Sequence, residues 1–359
     1  MTREEIETEL LDWMSGDAVA EDEVRFERLA LALFRWQIAH CTPYGALCEN
    51  RGLDIASVRH WRDIPAVPTG AFKEMPLRGF PPEKTVKTFR TSGTSSDRRG
   101  ELHLDTLALY EASLEPSFAR GVLAGIDGAC TLLVLAPSIE EAPDSSLSHM
   151  FDVMVRRRGA NGSGFFLRGE KLDTAALEAA IETAEATLVL CGTAFAFVHW
   201  MEALRAADRS LSLPAGTRVM ETGGFKGRAR ERGRDELYAE ISETLGVRSS
   251  QIVNQYGMTE LGSQFYDSTF ALPETPRHKI TPPWVRVRLI DPATGDDAPR
   301  GEPGVIQILD LANTGSIAAI LTADLGRAVG PGFEVLGRDA GAEERGCSIA
   351  TDEMLGAGC

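Results

Sequence analysis

Thr131-Leu132-Leu133-Val134-Leu135-Ala136 is an unbroken apolar run, the pattern of a strand buried in a parallel sheet. Reading outward from it, helical and extended patterns alternate. Residues 105–120 precede it as a helix, with Asp105 placed to cap its N-terminus, and residues 147–157 follow it as another. A Gly-rich turn covers 159–164, and Asp173 caps a helix that runs to about residue 184. Residues 187–191 form a second buried strand, 193–207 a helix, 218–221 a short strand, 234–245 a helix and 251–254 a strand again. Strands alternating with helices predict an α/β fold built on a mostly parallel sheet. Phe197 and Trp200, with Phe195, suit the core of such a fold better than a pocket wall.

Toward the N-terminus the spacing predicts helices over 3–14 and 22–40. In the second, Phe26, Leu29, Ala30, Leu33, Phe34 and Ile38 recur at helical intervals, and Glu21, Asp22 and Glu23 suit its positive end. Pro65, Pro68, Pro76, Pro81 and Pro82 then punctuate a loop-rich connection. From about residue 282 the texture changes to short strands at 285–290, 304–309, 318–322 and 333–336, separated by Gly, Pro and Asp turns. The expected organisation is an α/β core with a helical N-terminal region over 1–281, a small β subdomain over 282–338 and a short tail over 339–359.

The chain has 37 basic against 53 acidic residues, a net charge of −16. That excess argues against nonspecific binding to nucleic acid or to an anionic membrane. Cys41, Cys48, Cys130, Cys191, Cys347 and Cys359 are scattered, with no metal-ligand spacing, which fits free thiols in a reducing cytoplasm. The acidic, amphipathic start does not read as a signal peptide. The most apolar window, 186–204, is interrupted by Thr187, Gly192, Thr193 and His199, and no membrane span is expected.

Against this acidic background one stretch is locally basic. Lys87-Thr88-Phe89-Arg90 ends a strand, and the loop after it, Thr91-Ser92-Gly93-Thr94-Ser95-Ser96, carries hydroxyls at five of six positions. Arg98, Arg99 and Gly100 close it. Hydroxyls and backbone amides on a tight Gly turn form a nest of donors suited to phosphate oxygens, and Arg98 and Arg99 could add charge-assisted bonds. An ordinary polar surface loop is the competing reading. The stretch lacks the G-x-x-x-x-G-K-[ST] pattern, so a P-loop kinase or motor ATPase is not indicated.

Three further stretches follow this loop in order: Glu221-Thr222-Gly223-Gly224, Asn254-Gln255-Tyr256-Gly257-Met258-Thr259-Glu260, and Thr322-Ala323-Asp324-Leu325-Gly326 with Gly337-Arg338. Together the four resemble the motifs of the adenylate-forming superfamily of acyl-CoA synthetases, luciferases and peptide-synthetase adenylation domains. Within it, the length, Ser145-Ser146-Leu147-Ser148-His149-Met150, Gly223-Gly224-Phe225-Lys226-Gly227 and Arg345-Gly346-Cys347-Ser348 most resemble the LuxE-type acyl-protein synthetases. The resemblance covers roughly residues 65–349. It implies the N-terminal-domain fold of adenylate-forming enzymes with the large C-terminal domain, and its catalytic lysine, absent.

The resemblance also implies residue roles. Thr91, Ser92, Gly93, Thr94, Ser95 and Arg99 would hold the phosphates of ATP. Gly223 and Gly224 would let backbone approach the adenine or acyl group, and Tyr256 would stack on adenine, although Tyr256-Gly257 also reads as a strand end. Thr259 would bond the α-phosphate, Glu260 would hold Mg²⁺, and Asp324, with Arg338 beside it, would take the ribose hydroxyls. The chemistry is consistent with these assignments. A carboxylate is a poor electrophile until AMP becomes its leaving group, and preorganised donors, cations and Mg²⁺ stabilise the charge that builds on the phosphates. The loop departs from the family pattern at Ser96 and Arg99, which stand where Gly and Lys are usual, and Ala323 replaces a Gly. His149 reads equally as a satisfied buried histidine or as a neighbour of the acyl carboxylate. Lys226 reads as a surface or a phosphate-proximal residue.

Cys347 matches the cysteine that LuxE-like enzymes acylate before handing the group to a fatty-acid reductase; an acyl-carrier protein is an alternative recipient. Arg345 favours its thiolate while Glu343 and Glu344 oppose it. The resulting expectation is a cytoplasmic acid-thiol ligase that uses ATP and Mg²⁺ to activate a carboxylic acid, chiefly a fatty acid, and loads it onto Cys347. An acyl- or aryl-CoA ligase and a non-catalytic nucleotide-binding regulatory subunit are the competing readings.

Overall fold

The computed structural model describes residues 1–16, 21–92, 98–169, 171–223, 233–338 and 353–354. These group into two compact units that interleave along the chain. One comprises residues 1–116, 257–264 and 280–359, the other 117–256 and 265–279.

The second unit contains the parallel sheet. Its strands run Gly164–Phe165, Thr131–Leu135, Leu188–Thr193, Arg218–Thr222 and Ile252–Tyr256, all parallel, with Phe265–Asp267 added antiparallel. Thr131–Leu135 is buried at every position, as its unbroken apolar pattern requires. Leu133 sits beside Leu190 and Val134 beside Cys191. Gly192 lets these neighbours close up, because a Cβ there would lie 2.8 Å from the Cβ of Leu135. The helix Ala194–Ala206, capped by Thr193, and the helix Arg234–Leu245 pack Phe197, Trp200, Met201, Tyr238 and Ile241 into one cluster with Leu133, Leu190 and Val219. Each large side chain so buried contributes about 1.5–3 kcal/mol.

Beneath the ends of two of these strands lies a buried polar network. Lys279 and Asp267 are each almost fully buried and pair at 2.9 Å. Lys279 also donates to the backbone oxygen of Asn254 at 2.7 Å and to its side-chain oxygen. Asn254 in turn donates its side-chain NH₂ to Glu221 Oε1 at 2.7 Å and its backbone NH to Asp267 at 3.0 Å. Tyr238 donates to the same Glu221 oxygen at 3.1 Å. Burial raises the Glu221 carboxyl above the usual range, while Asn254, Lys279 and Tyr238 hold it back.

The first unit opens with two helices, Arg3–Ser15 and Glu23–His40. Thr2 and Glu5 form a capping box on the one, and Asp22 caps the other. An antiparallel meander follows later in the chain: Val285–Ile290, Gly304–Asp310, Ala319–Val329 and Gly332–Arg338. The strands Lys87–Arg90 and Glu101–Leu104 form a separate hairpin.

The Pro-rich connection contains more structure than its composition suggests. Val67–Pro68 runs parallel to Ile320–Leu321 in the meander, and the four-residue helix Ala71–Glu74 follows directly. Asp105 is not a helix cap. The helix begins at Ala108, and both oxygens of Asp105 accept from the Arg3 guanidinium at 2.6 Å. A paired guanidinium–carboxylate contact outweighs a single capping bond. Among the described residues, no helix is long and apolar enough to cross a membrane.

Candidate active site

The hairpin Lys87–Arg90 and Glu101–Leu104 presents the hydroxyl-rich loop. Its mouth is closed by two bonds between Thr91 and Gly100. The Thr91 NH donates to the Gly100 carbonyl at 2.9 Å, and the Gly100 NH donates to Thr91 Oγ1 at 2.9 Å. Arg99 folds back on the same mouth, donating from Nε to the Thr91 carbonyl at 2.6 Å and from Nη2 to the Arg90 carbonyl at 3.3 Å. Arg98 pairs with Glu74 at 2.8 Å. Gly93, Thr94 and Ser95, at the centre of the loop, lie outside the described residues.

Glu260 stands at this mouth. A Cβ placed on Gly100 would lie 3.1 Å from Thr91 Cγ2 and 3.6 Å from Glu260 Oε1, so the three positions adjoin. Glu260 is 6 % exposed. Burial pushes its carboxyl up to about 7; the charges of Arg338 and Lys73 pull it down and that of Asp324 pushes it further up. Its backbone is fixed from below, where Asn313 donates to the Glu260 carbonyl at 2.6 Å. Thr259 precedes it in the same turn.

Asp324 and Arg338 are brought opposite one another by the register of the Ala319–Val329 and Gly332–Arg338 strands. Arg338 Nε lies 3.8 Å from Asp324 Oδ1, with the arginine exposed and the aspartate partly buried. The Asp324 NH donates to Thr322 Oγ1 at 3.1 Å, which sets the turn of the strand just before the register shift at Leu325 and Gly326. Gly326 is required there, because a Cβ would come within 3.0 Å of both Ile306 and the Glu334 carbonyl. The first unit thus gathers Thr91, Arg99, Glu260, Asp324 and Arg338, which are far apart in sequence.

In the second unit, Gly223 follows the Arg218–Thr222 strand with φ +76°, a conformation glycine adopts without strain. Thr222 donates to the side-chain oxygen of Gln255, joining the ends of the two parallel strands. Tyr256 is half-buried at the end of its strand, with its ring 5.9 Å from that of Phe265. Gly257 follows it. His149 is buried in the helix Ser146–Arg158, which Ser145 caps. Gly224, Lys226 and Cys347 lie outside the described residues.

Two features went unread in the sequence. One is Lys73, whose charge acts on Glu260 although it lies in the Pro-punctuated connection. The other is the Asp267–Lys279 pair. Neither belongs to a recognisable spacing, and a lone lysine before a proline-rich stretch carries no local signal.

Residues 7–356 match the family model described as "Acyl-protein synthetase, LuxE". The chain belongs to this family. Among curated proteins, it is 22% identical to the long-chain-fatty-acid–luciferin-component ligase of Vibrio harveyi over 86% of this chain and 80% of that protein. A ligase of the same name from Aliivibrio fischeri is 27% identical over 33% of this chain and 31% of that protein. Among solved structures, an open conformation of 2-hydroxyisobutyryl-CoA ligase in complex with 2-HIB-AMP and CoA superposes with a TM-score of 0.63. It is 16% identical and covers 88% of this chain and 75% of that one. ATP-bound MatB from Rhodopseudomonas palustris superposes with a TM-score of 0.51 at 19% identity, over 72% of this chain and 49% of that one. The LuxE-family chain therefore has the fold of adenylate-forming ligases.

Proposed function

We propose that this LuxE-family chain uses ATP to activate a carboxylic acid as its acyl-adenylate and then transfers the acyl group to the thiol of Cys347. The observation that carries the reading is the convergence of Thr91, Glu260, Asp324 and Arg338 in one unit. A carboxylate oxygen of the acid attacks the α-phosphorus, an O–P bond forms, and pyrophosphate leaves with the electron pair of the broken P–O bond. The thiolate then attacks the acyl carbon and AMP departs.

The Thr91 hydroxyl at the Thr91–Gly100 mouth suits a phosphate oxygen, and Asp324 suits the ribose hydroxyls. Tyr256 offers a ring face to an adenine, and Gly223 offers backbone free of a side chain. Glu260 fits a divalent cation: its burial leaves the carboxylate short of compensating charge, which is what raises its carboxyl to about 7. Among the described residues no three acidic, histidine or cysteine side chains cluster into a metal cage. Magnesium would therefore take one protein carboxylate and complete its octahedron from nucleotide and water, as it commonly does. When bound, it would neutralise phosphate charge.

Burial sets aside four of the six thiols and leaves Cys347 and Cys359, of which Cys347 has the Arg345-Gly346-Cys347-Ser348 context. Cys41, Cys48, Cys130 and Cys191 are all buried. Burial pushes the thiols of Cys41 and Cys48 up to about 11 and raises those of Cys130 and Cys191. Such thiols are poor nucleophiles. A long-chain fatty acid is the proposed substrate, from the name of the Vibrio harveyi relative, and an acyl-reducing partner is the proposed recipient.

The test is intact mass after incubation with ATP, Mg²⁺ and a panel of carboxylic acids. The expected result is a gain of one acyl group, largest with long-chain acids, removed by hydroxylamine and absent in Cys347→Ser. Acyl transfer only to added coenzyme A would replace this reading with that of a CoA ligase. No acid-dependent pyrophosphate release would overturn adenylation itself.

A further inference from the structure

Lys73 lies on the helix Ala71–Glu74, and four independent restraints fix that helix beside the site. Upstream, Val67–Pro68 pairs with Ile320–Leu321, and the Thr69 NH donates to the Leu321 carbonyl at 3.0 Å, three residues before Asp324. Downstream, Glu74 accepts from Arg98 at 2.8 Å, tying the helix to the closing side of the hydroxyl-rich loop. The helix packs against the Glu101–Leu104 strand, which begins just after Gly100. Phe72 anchors it, buried to 2 % exposure. Lys73 itself is half-buried, between Phe72, which is buried, and Glu74, which accepts from Arg98 at the loop.

We propose that Lys73 is a catalytic residue whose ammonium contacts the β- and γ-phosphates of the triphosphate at the Thr91–Gly100 mouth. The inference rests on the reading of this mouth as an ATP site. The lysine keeps its proton throughout. As the α-phosphorus bonds to the acid and its bond to the bridging oxygen breaks, negative charge moves onto pyrophosphate, and a fixed cation there lowers the barrier. An ammonium brings a compact point charge there rather than a planar fork. Arg99 donates to the backbone of Arg90 and Thr91, and Arg98 pairs with Glu74, the residue next to Lys73.

The test compares Lys73→Met and Lys73→Arg with the wild-type chain. Binding of the non-cleavable analogue α,β-methylene-ATP with Mg²⁺, and separately of AMP, is measured by calorimetry. Lys73→Met is expected to weaken the triphosphate analogue about 100-fold, the scale of one charge-assisted phosphate contact in a partly dehydrated site, and to leave AMP within threefold. Lys73→Arg is expected to recover most of the loss. With a pre-formed acyl-adenylate, Lys73→Met should load its thiol at the wild-type rate, because no triphosphate takes part. Equal weakening of AMP and of the analogue, or loss of loading from acyl-adenylate, would make Lys73 structural and overturn the proposal. So would analogue binding within threefold of wild type. A wild-type chain that binds neither nucleotide would overturn the ATP-site reading itself, and the proposal with it.

Discussion

Asp310 is a buried carboxylate at the end of the Gly304–Asp310 strand. Its Oδ1 accepts from Ser263 at 2.7 Å and from the Ala312 NH at 3.0 Å, and Trp284 donates to the same serine at 2.9 Å. Burial pushes the Asp310 carboxyl up to about 6 from the ordinary 3.8, while these donors hold it back. Between roughly pH 4 and 6 the native state thus keeps a proton that the unfolded chain has released. Stability from this group falls as pH rises through that window, by about 3 kcal/mol at most. Asp310→Asn should lack this slope. Urea midpoints at pH 4 and pH 7 should show the wild type losing ground to the variant at the higher pH; parallel behaviour would reject the assignment. Nothing in the local sequence marks Asp310 as different from the exposed turn aspartates around it, since burial is a property of the meander. Glu260 stands out in the sequence for the opposite reason: it ends a run of consecutive residues, Tyr256-Gly257-Met258-Thr259-Glu260, that resembles a family motif.

At the scale of elements, the strands with apolar runs and the helices with strong periodicity were legible almost to their ends. Residues 285–290 were expected as a strand and Val285–Ile290 is one; Asp173 was expected to cap a helix and does. What escaped were elements defined by partners rather than by composition. Val67–Pro68 is a strand because Ile320–Leu321 lies alongside, and a proline there looks like a loop. Phe265–Asp267 is held by its antiparallel pairing with Gln255 and Tyr256 and by the ion pair of Asp267 with Lys279. Removing one partner of a buried pair leaves the other charge uncompensated. Lys279→Met is therefore expected to cost about 3 kcal/mol in chemical denaturation. Combined with Asp267→Asn it should cost at least about 1 kcal/mol less than the sum of the two single changes. Strict additivity would mean that the pair does not act as a unit.

Across the whole molecule, the parallel α/β reading and the later β meander both held, whereas the interleaving of the two compact units was not visible in chain order. Residues 257–264 belong with the first unit although the strand immediately before them belongs to the second, and such grouping depends on contacts far apart in sequence. The distribution of thiols is a property at this scale too. Under native conditions Cys41, Cys48, Cys130 and Cys191 should react with iodoacetamide at least about 100-fold more slowly than in urea, as read by peptide mass spectrometry. Rapid native labelling of any of the four would undo the elimination that leaves Cys347 and Cys359. A further contact spans the length of the chain. Arg51 Nε pairs with Glu353 at 2.8 Å, Asn50 donates to the Glu353 carbonyl, and Met354 is buried. Glu353 is thus held at the C-terminal end of the helix Thr42–Asn50. Fraying the C-terminal end of the Thr42–Asn50 helix would thus let go of the chain at Glu353 as well.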